Sequence, residues 1–168
     1  MKLEIKKVSR TSPELEEIKK LKNESIYDFS FPMSFFLMNG KRKGCHFWSY
    51  EVERKFCGFS FLIEGENMVI ILCFSLIKEM RNKGMGSEIM TFLKQHFKDK
   101  VFVIHTQEGD NLEFLRKNGF KNTQWDLCIK KETYRLFATT KHFSSEDYKK
   151  TIRKAFFGFF HPKLHLQV

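Results

Sequence analysis

The sequence predicts a single α/β domain organised around one mixed sheet, and three observations predict it. The apolar run "NMVIILCFSLI" leads into a glycine-containing loop. Beyond it, Met85, Ile89, Phe92 or Leu93, and Phe97 recur at helical spacing, and the β-branched "VFVIHT" follows, so the stretch reads as strand, loop, helix, strand. The segments "HFWSYEVE", "KFCGFSFLI" and "NMVIILCFSLI" are separated only by "RK" and "EGEN", the spacing of consecutive strands. At 168 residues the chain has the size of one domain, and a chain of roughly 150 residues buries close to 70% of its extended surface.

Taken in order, "LEIKKV" alternates apolar and polar residues as a first strand does. Ser12 and Pro13 then supply an N-cap and a first helical position. Leu15, Ile18, Leu21 and Ile26 continue at helical spacing, predicting a helix over about 13–27. "SFPMSFFLMNGKRKG" opens on a proline break and closes on a basic glycine turn, with room for one short helix between. Of the three strands that follow, "NMVIILCFSLI" is apolar almost throughout, which predicts a central strand buried on both faces. "DNLEFLRKNGF" reads as a short helix capped by Asp110 or Asn111 and stopped at Gly119, and "WDLCIKKETYRLFAT" as one or two strands. From Ser144 to Phe160 helical spacing returns, with Tyr148, Ile152, Phe156 and Phe159 on one stripe. The elements add up to a six- or seven-stranded mixed sheet flanked by about four helices, plus a C-terminal helix. The expected division is a domain over 1–140, with an amphipathic helix and tail over 141–168 packed on it.

Composition excludes several function classes. No charge-free apolar stretch reaches membrane-spanning length, and "MKLEIKKVSR" lacks the apolar core of a secretory signal. A soluble, cytoplasmic protein without a membrane partner is expected. Cys45, Cys57, Cys73 and Cys128 lie far apart with no CxxC pair, so neither a zinc knuckle nor a redox pair is indicated and no metal is expected. Thirty Lys and Arg against twenty Asp and Glu give a formal charge of +10, which favours polyanionic partners: nucleic acid, an anionic surface or a phosphate-rich cofactor. The basic residues occur in short scattered groups that read as solvated faces.

The loop "RNKGMG", Arg81 to Gly86, is the feature most open to a functional reading. It contains neither GxxxxGK[ST] nor the third glycine of GxGxxG, so an ATP P-loop and a Rossmann fingerprint are both excluded. A loop that leaves a buried strand and enters a helix still directs unpaired N–H groups and the helix dipole outward, which favours an anion by about 0.3–2 kcal/mol. Gly84 and Gly86 let a phosphate approach, and Arg81 and Lys83 add charge beside them.

In its motifs the chain resembles the GNAT superfamily of acetyl-CoA-dependent N-acetyltransferases. Arg81, Gly84 and Gly86 meet the pattern [RQ]xxGx[GA], and Phe114, Gly119 and Phe120 meet an FYxxxGF-type segment. The order of elements over roughly residues 1–140 is also similar. The resemblance implies a GNAT-like fold and acetyl-CoA as cosubstrate. The pyrophosphate would be held by the amides of Arg81, Asn82, Lys83, Gly84, Met85, Gly86 and Ser87. Pantetheine would pair with the backbone of Phe74, Ser75 and Leu76, where the strand splays from its neighbour. Asn111 would cap its helix or touch the cofactor. Two positions depart from the family: Ile77 stands where Asp is usual, and Leu115 where a tyrosine commonly protonates the leaving thiolate.

Amine acetylation needs a proton acceptor. An amine of pKa about 10.4 is charged at neutral pH, and freeing it costs about 4.6 kcal/mol. Glu51, Glu53 and Glu108 are candidate bases, with His105 as a further one; Tyr134 is the candidate hydroxyl in place of Leu115. Cys73 on the central strand makes a covalent acyl-cysteine conceivable, but an apolar strand raises a thiol's pKa. The expected function is acetyl transfer to a small-molecule or peptide amine. A non-catalytic acyl-CoA sensor and a basic nucleic-acid-binding module are the alternatives. The latter has no recognisable motif, so nucleic acid is not the expected partner. A homodimer through the C-terminal helix is the expected alternative to packing on the domain.

Overall fold

Alternating and fully apolar segments become strands, and the order of their pairing sets the architecture. The computed structural model describes residues 2–24, 31–107, 111–129, 132–140, 142–155 and 163–166. The strands are β1 (Leu3–Lys7), β2 (Cys45–Val52), β3 (Lys55–Glu64), β4 (Met68–Leu76), β5 (Val101–Thr106), β6 (Lys121–Ile129), β7 (Glu132–Ala138) and β8 (Lys163–Leu166). The helices are α1 (Leu15–Glu24), α2 (Met33–Asn39), α3 (Met85–His96), α4 (Leu112–Lys117) and α5 (Ser145–Ile152). One sheet of eight strands runs in the order β1-β2-β3-β4-β5-β7-β6-β8. Only β4 and β5 pair in parallel; the other neighbours are antiparallel. The α/β mixed sheet is therefore as expected, enlarged by β8. That strand lies in the segment expected from sequence to be an amphipathic helix and tail, and Phe156 and Phe159 of the expected stripe fall outside the described residues, as does Ile26.

The β2–β3 connection has only two residues, Glu53 and Arg54, with φ of 52° and 64°. Positive φ at both positions is the demand of a type I′ turn, which Asn-Gly meets and Glu-Arg meets only with strain. Exchanging the pair for Asn-Gly is expected to raise stability by about 1 kcal/mol without touching any core residue, as read by urea denaturation.

Each sheet face carries its own core. On one face α1, α2 and α5 cover Phe47, Phe59, Phe61, Ile70, Leu72, Val103 and Leu136. Phe36 of α2 anchors this layer, with ring centroids 5.3 Å from Phe61 and 5.8 Å from Phe47. On the other face Met85, Ile89, Met90 and Leu93 of α3 and Leu115 of α4 pack on Tyr50, Leu62, Val69, Ile71 and Phe102. Strand β4 is buried on both faces, which explains its unbroken apolar run. Helix α5 is capped by Ser144, whose side chain accepts from the Asp147 N–H, and spends Tyr148 and Ile152 on the domain's own sheet. Gly65 permits that approach: a Cβ there would lie 2.1 Å from Thr151 Oγ1.

Two irregularities in the sheet matter for function. The β3–β4 register steps from Phe61↔Cys73 to Leu62↔Ile71, leaving Leu72 as an extra residue. This β-bulge puts Leu72 and Cys73 on the same face, toward α1, α2 and α5, while Ile71 and Phe74 face α3 and α4. The parallel pairing of β4 with β5 stops one residue earlier, at Ile71↔Ile104. Beyond it β5 continues to pair with β7 through His105 and Thr106, so β4 and β5 part while each keeps its other neighbour.

Candidate functional site

The gap between the ends of β4 and β5 exposes backbone that a sheet would normally consume. Ile77 N–H donates to the Cys57 carbonyl at 3.0 Å, which makes Cys57 and Ile77 a hydrogen-bonded antiparallel pair. Such pairs alternate with non-bonded ones, so Ser75 is again bonded to Phe59, while the N–H and C=O of Phe74 turn away from β3 toward the gap. Of the three residues expected to offer backbone there, Phe74 does so and Leu76 does in part, since the Leu76 carbonyl accepts from Arg81 Nε at 2.8 Å. Ser75 does not, because its backbone pairs within the sheet. The Phe74 ring stacks on Phe114 of α4, centroids 6.0 Å apart and 12° between planes, and floors the gap on the α3 and α4 side.

The "RNKGMG" loop lies directly beyond. A single 3-10 turn over Lys78–Met80 leads to Arg81, Asn82, Lys83 and Gly84, all exposed. Gly84 is the N-cap of α3 at φ 81°, with no side chain capping the helix. The first backbone bond of the helix is Glu88 N–H to the Gly84 carbonyl. The N–H groups of Met85, Gly86 and Ser87 therefore point out of the helix end at the mouth of the gap, where the dipole and the charges of Arg81 and Lys83 favour an anion. Met85 contributes its amide alone, because its side chain is core.

The two glycines serve different purposes. A Cβ on Gly84 would meet nothing within 4 Å, so its requirement is the left-handed backbone alone. A Cβ on Gly86 would lie 2.9 Å from Phe114 Cε2, so Gly86 makes room for the α4 ring as well as for a ligand. The two helices are further joined by Asn118, whose Nδ2 donates to Ser87 Oγ (3.1 Å) and to the Phe114 carbonyl (2.8 Å), and whose carbonyl accepts from Lys94 Nζ. Burial lowers the Lys94 pKa below its ordinary value. Asn118 has no counterpart in the sequence reading, and only the tertiary contact identifies it. Asn111 occupies the N-cap of α4 at φ 55°, but its side chain makes no capping bond, contrary to the capping role read for it.

The candidate proton-transfer residues are not gathered together. Glu51 is ion-paired with Lys6 Nζ at 2.6 Å near the β1 edge, two strand spacings from β4, about 10 Å. Glu53 is in the β2–β3 turn, and Glu108 lies outside the described residues. Leu115 is buried in the α3 and α4 core, so α4 offers no hydroxyl from that position. Tyr134 is closer in register. Extending the β5–β7 pairing of Thr106 with Arg135 by one residue sets Tyr134 level with Gln107, and extending the β4–β5 register sets Gln107 level with Phe74. Tyr134 faces the same layer as Cys73, and its hydroxyl donates to a carboxylate oxygen of Glu132.

His105, the first β5 residue past the last pairing with β4, has its ring Nε2 2.6 Å from the Tyr148 hydroxyl of α5. Burial drives its pKa down to about 3, and burial raises that of Tyr148 well above the ordinary range. Both stay neutral across the physiological range, so the pair braces the apex of the gap and is unsuited to trading protons. A depressed histidine pKa means that the neutral form stabilises the fold. That contribution is complete above the unfolded value of about 6.5 and is lost as the pH falls toward 3. His105→Asn is expected to flatten the acid decline of Tm between these limits, where a single such group contributes a slope of up to about 1.4 kcal/mol per pH unit.

Comparison with known proteins matches this arrangement to one family. The family model described as "Acetyltransferase (GNAT) family" matches residues 12–120. Among solved structures, the PaiA N-acetyltransferase of Thermoplasma acidophilum in complex with coenzyme A is 18% identical, with a TM-score of 0.63 over 83% of this chain and 99% of that one. The ribosomal-protein-S18-alanine N-acetyltransferase of Escherichia coli is 10% identical, with a TM-score of 0.62 over 87% and 98%. A Bacillus subtilis acetyltransferase in complex with CoA is 14% identical, with a TM-score of 0.59 over 82% and 97%. These likenesses are of fold. No curated protein matches the chain in sequence.

Proposed function

The chain belongs to the GNAT acetyltransferase family, and from that premise we propose that it binds acetyl-CoA and transfers the acetyl group to a primary amine by direct attack on the thioester. The observation that carries the reading is the uncapped N-terminus of α3 at the mouth of the gap where β4 leaves β5. The amides of Met85, Gly86 and Ser87 would hold the pyrophosphate, with Arg81 and Lys83 beside it. The outward backbone of Phe74 would pair with pantetheine and polarise the thioester carbonyl. The amine would arrive on the face of Cys73 and Ser75, opposite α3 and α4, and Tyr134 would protonate the departing thiolate. Two of the structures similar in fold were solved with coenzyme A or CoA, in agreement with this use of the gap.

The test has two arms. CoA at millimolar concentration is expected to raise Tm, and acetyl-CoA is expected to release thiol with at least one of spermidine, kanamycin, tyramine, lysine and an alanine-initiated peptide. A thermal shift without thiol release from any of them would leave an acyl-CoA sensor; no shift at all would remove both CoA readings.

A further inference from the structure

Resting on that reading, we propose that Tyr134 and Glu132 form a proton relay that serves the transfer in both directions, Glu132 acting through Tyr134 as the way out to solvent. The need is set by Leu115: it is buried in the opposite core, so α4 supplies no hydroxyl from that position. None of the other candidate bases whose placement is described takes over. Glu51 is neutralised by Lys6 at the sheet edge, Glu53 sits in the β2–β3 turn, and burial holds His105 neutral beside Tyr148.

The geometry of β7 meets the need. Residues two apart on a strand share a face, so Glu132 and Tyr134 project together, and the tyrosine hydroxyl donates to the carboxylate. Tyr134 is 4% exposed and Glu132 is exposed, so one hydrogen bond spans the distance from the core to water. The register partners of Tyr134 and Glu132 on β6 are Leu127 and Ile129, neither of an ionisable type, and Arg135 and Asp126 face each other on the opposite side of the sheet. Strand β7 adjoins β5, so Tyr134 stands about 4.8 Å from the strand that walls the gap, level with Phe74 in the extended register and on the face of Cys73.

In the forward step Tyr134 takes a proton from the acceptor's ammonium while passing its own to Glu132. The freed lone pair forms the C–N bond at the thioester carbon. The C–S bond then breaks with its electron pair on sulfur, and the nitrogen, now cationic, loses its second proton to the thiolate through the same tyrosine hydroxyl. Glu132 returns its proton to water. One ammonium and one thioester give one amide, one thiol and one released proton.

The experiment compares wild type, Glu132→Gln, Tyr134→Phe and the double variant, using acetyl-CoA and whichever amine of the five gives the fastest thiol release. General acid–base groups contribute about 10²–10⁴-fold. Each single variant is expected to lower kcat by roughly 100-fold with KM for acetyl-CoA within about twofold. The double variant should be no slower than the slower single one. The acidic limb of the kcat–pH profile should vanish in Glu132→Gln and persist in Glu132→Asp, and the CoA-induced rise in Tm should survive in all of them. Unchanged kcat and pH profile in Glu132→Gln, or losses that multiply in the double variant, would overturn the relay while leaving the transferase intact. Thiol release from none of the five amines would overturn the activity and the relay with it.

Discussion

Ser87→Glu is expected to weaken CoA binding by about 100-fold while leaving the free protein folded. Ser87 is in the first turn of α3, where an acidic side chain complements the dipole by about 0.3–1 kcal/mol. Its present hydroxyl accepts from Asn118 Nδ2, and a carboxylate can accept in its place. The same carboxylate would face the site proposed for a pyrophosphate. At about 5 Å and an effective dielectric near 20, each like charge costs roughly 3 kcal/mol, which is two decades of affinity. Stability and binding are thus expected to move in opposite directions, an outcome that damage to the fold does not produce. Thermal melts without ligand, and titration with CoA, read the two quantities separately. Ser87→Ala, which removes only the hydroxyl, should retain most of the affinity.

Gly58→Ala is the substitution expected to damage the fold most. Gly58 stands opposite Leu76 beside a bulge in β3, where the β2 register steps from Tyr50↔Gly58 to Glu51↔Phe56. A Cβ there would lie 2.3 Å from the Ser75 carbonyl oxygen and 2.7 Å from Leu76 Cδ2. The first of these is backbone in the interior of a sheet and cannot rotate aside, so β3 and β4 must separate. Overpacking of this kind costs about 3 kcal/mol or more, or a fall in Tm of roughly 6–12 °C for a chain of this size. The displaced carbonyl belongs to the residue after Phe74, so the surviving folded fraction should also bind CoA less well. Gly84→Ala is the informative contrast. Its Cβ meets nothing, and only the left-handed backbone strain, about 1–2 kcal/mol, opposes it.

The sheet, its central buried strand and the loop were legible because each leaves a local trace. The alternation of β1, the apolar run of β4, the helical spacing from Met85 to Phe97 and the glycines of "RNKGMG" can all be read within a window of a dozen residues. The bulge at Leu72 left none, since a strand buried on both faces is apolar whichever way each residue points. The insertion of β7 between β5 and β6 is a long-range pairing with no local signature. The same limit governed the chemistry. Tyr134 was legible as a hydroxyl on a late strand, and Glu132 could have been paired with it from the two-residue spacing alone. Asn118 gains its part only when α4 meets α3, and Glu51 met its lysine only when β1 paired with β2.

The brace at His105 bears on how the protein can be produced and dissected. The segment that shares ancestry with the family ends at residue 120, yet the imidazole at the apex of the gap shares a hydrogen bond with the hydroxyl of residue 148. Ancestry and foldable length are therefore different quantities in this chain. A shortened version trimmed to the matched segment would lose β6, β7 and β8, which continue the sheet beyond β5, and would leave a buried ring without its hydroxyl. A foldable version is therefore expected to extend at least through Ile152, and inactivity of anything shorter would report on folding before catalysis.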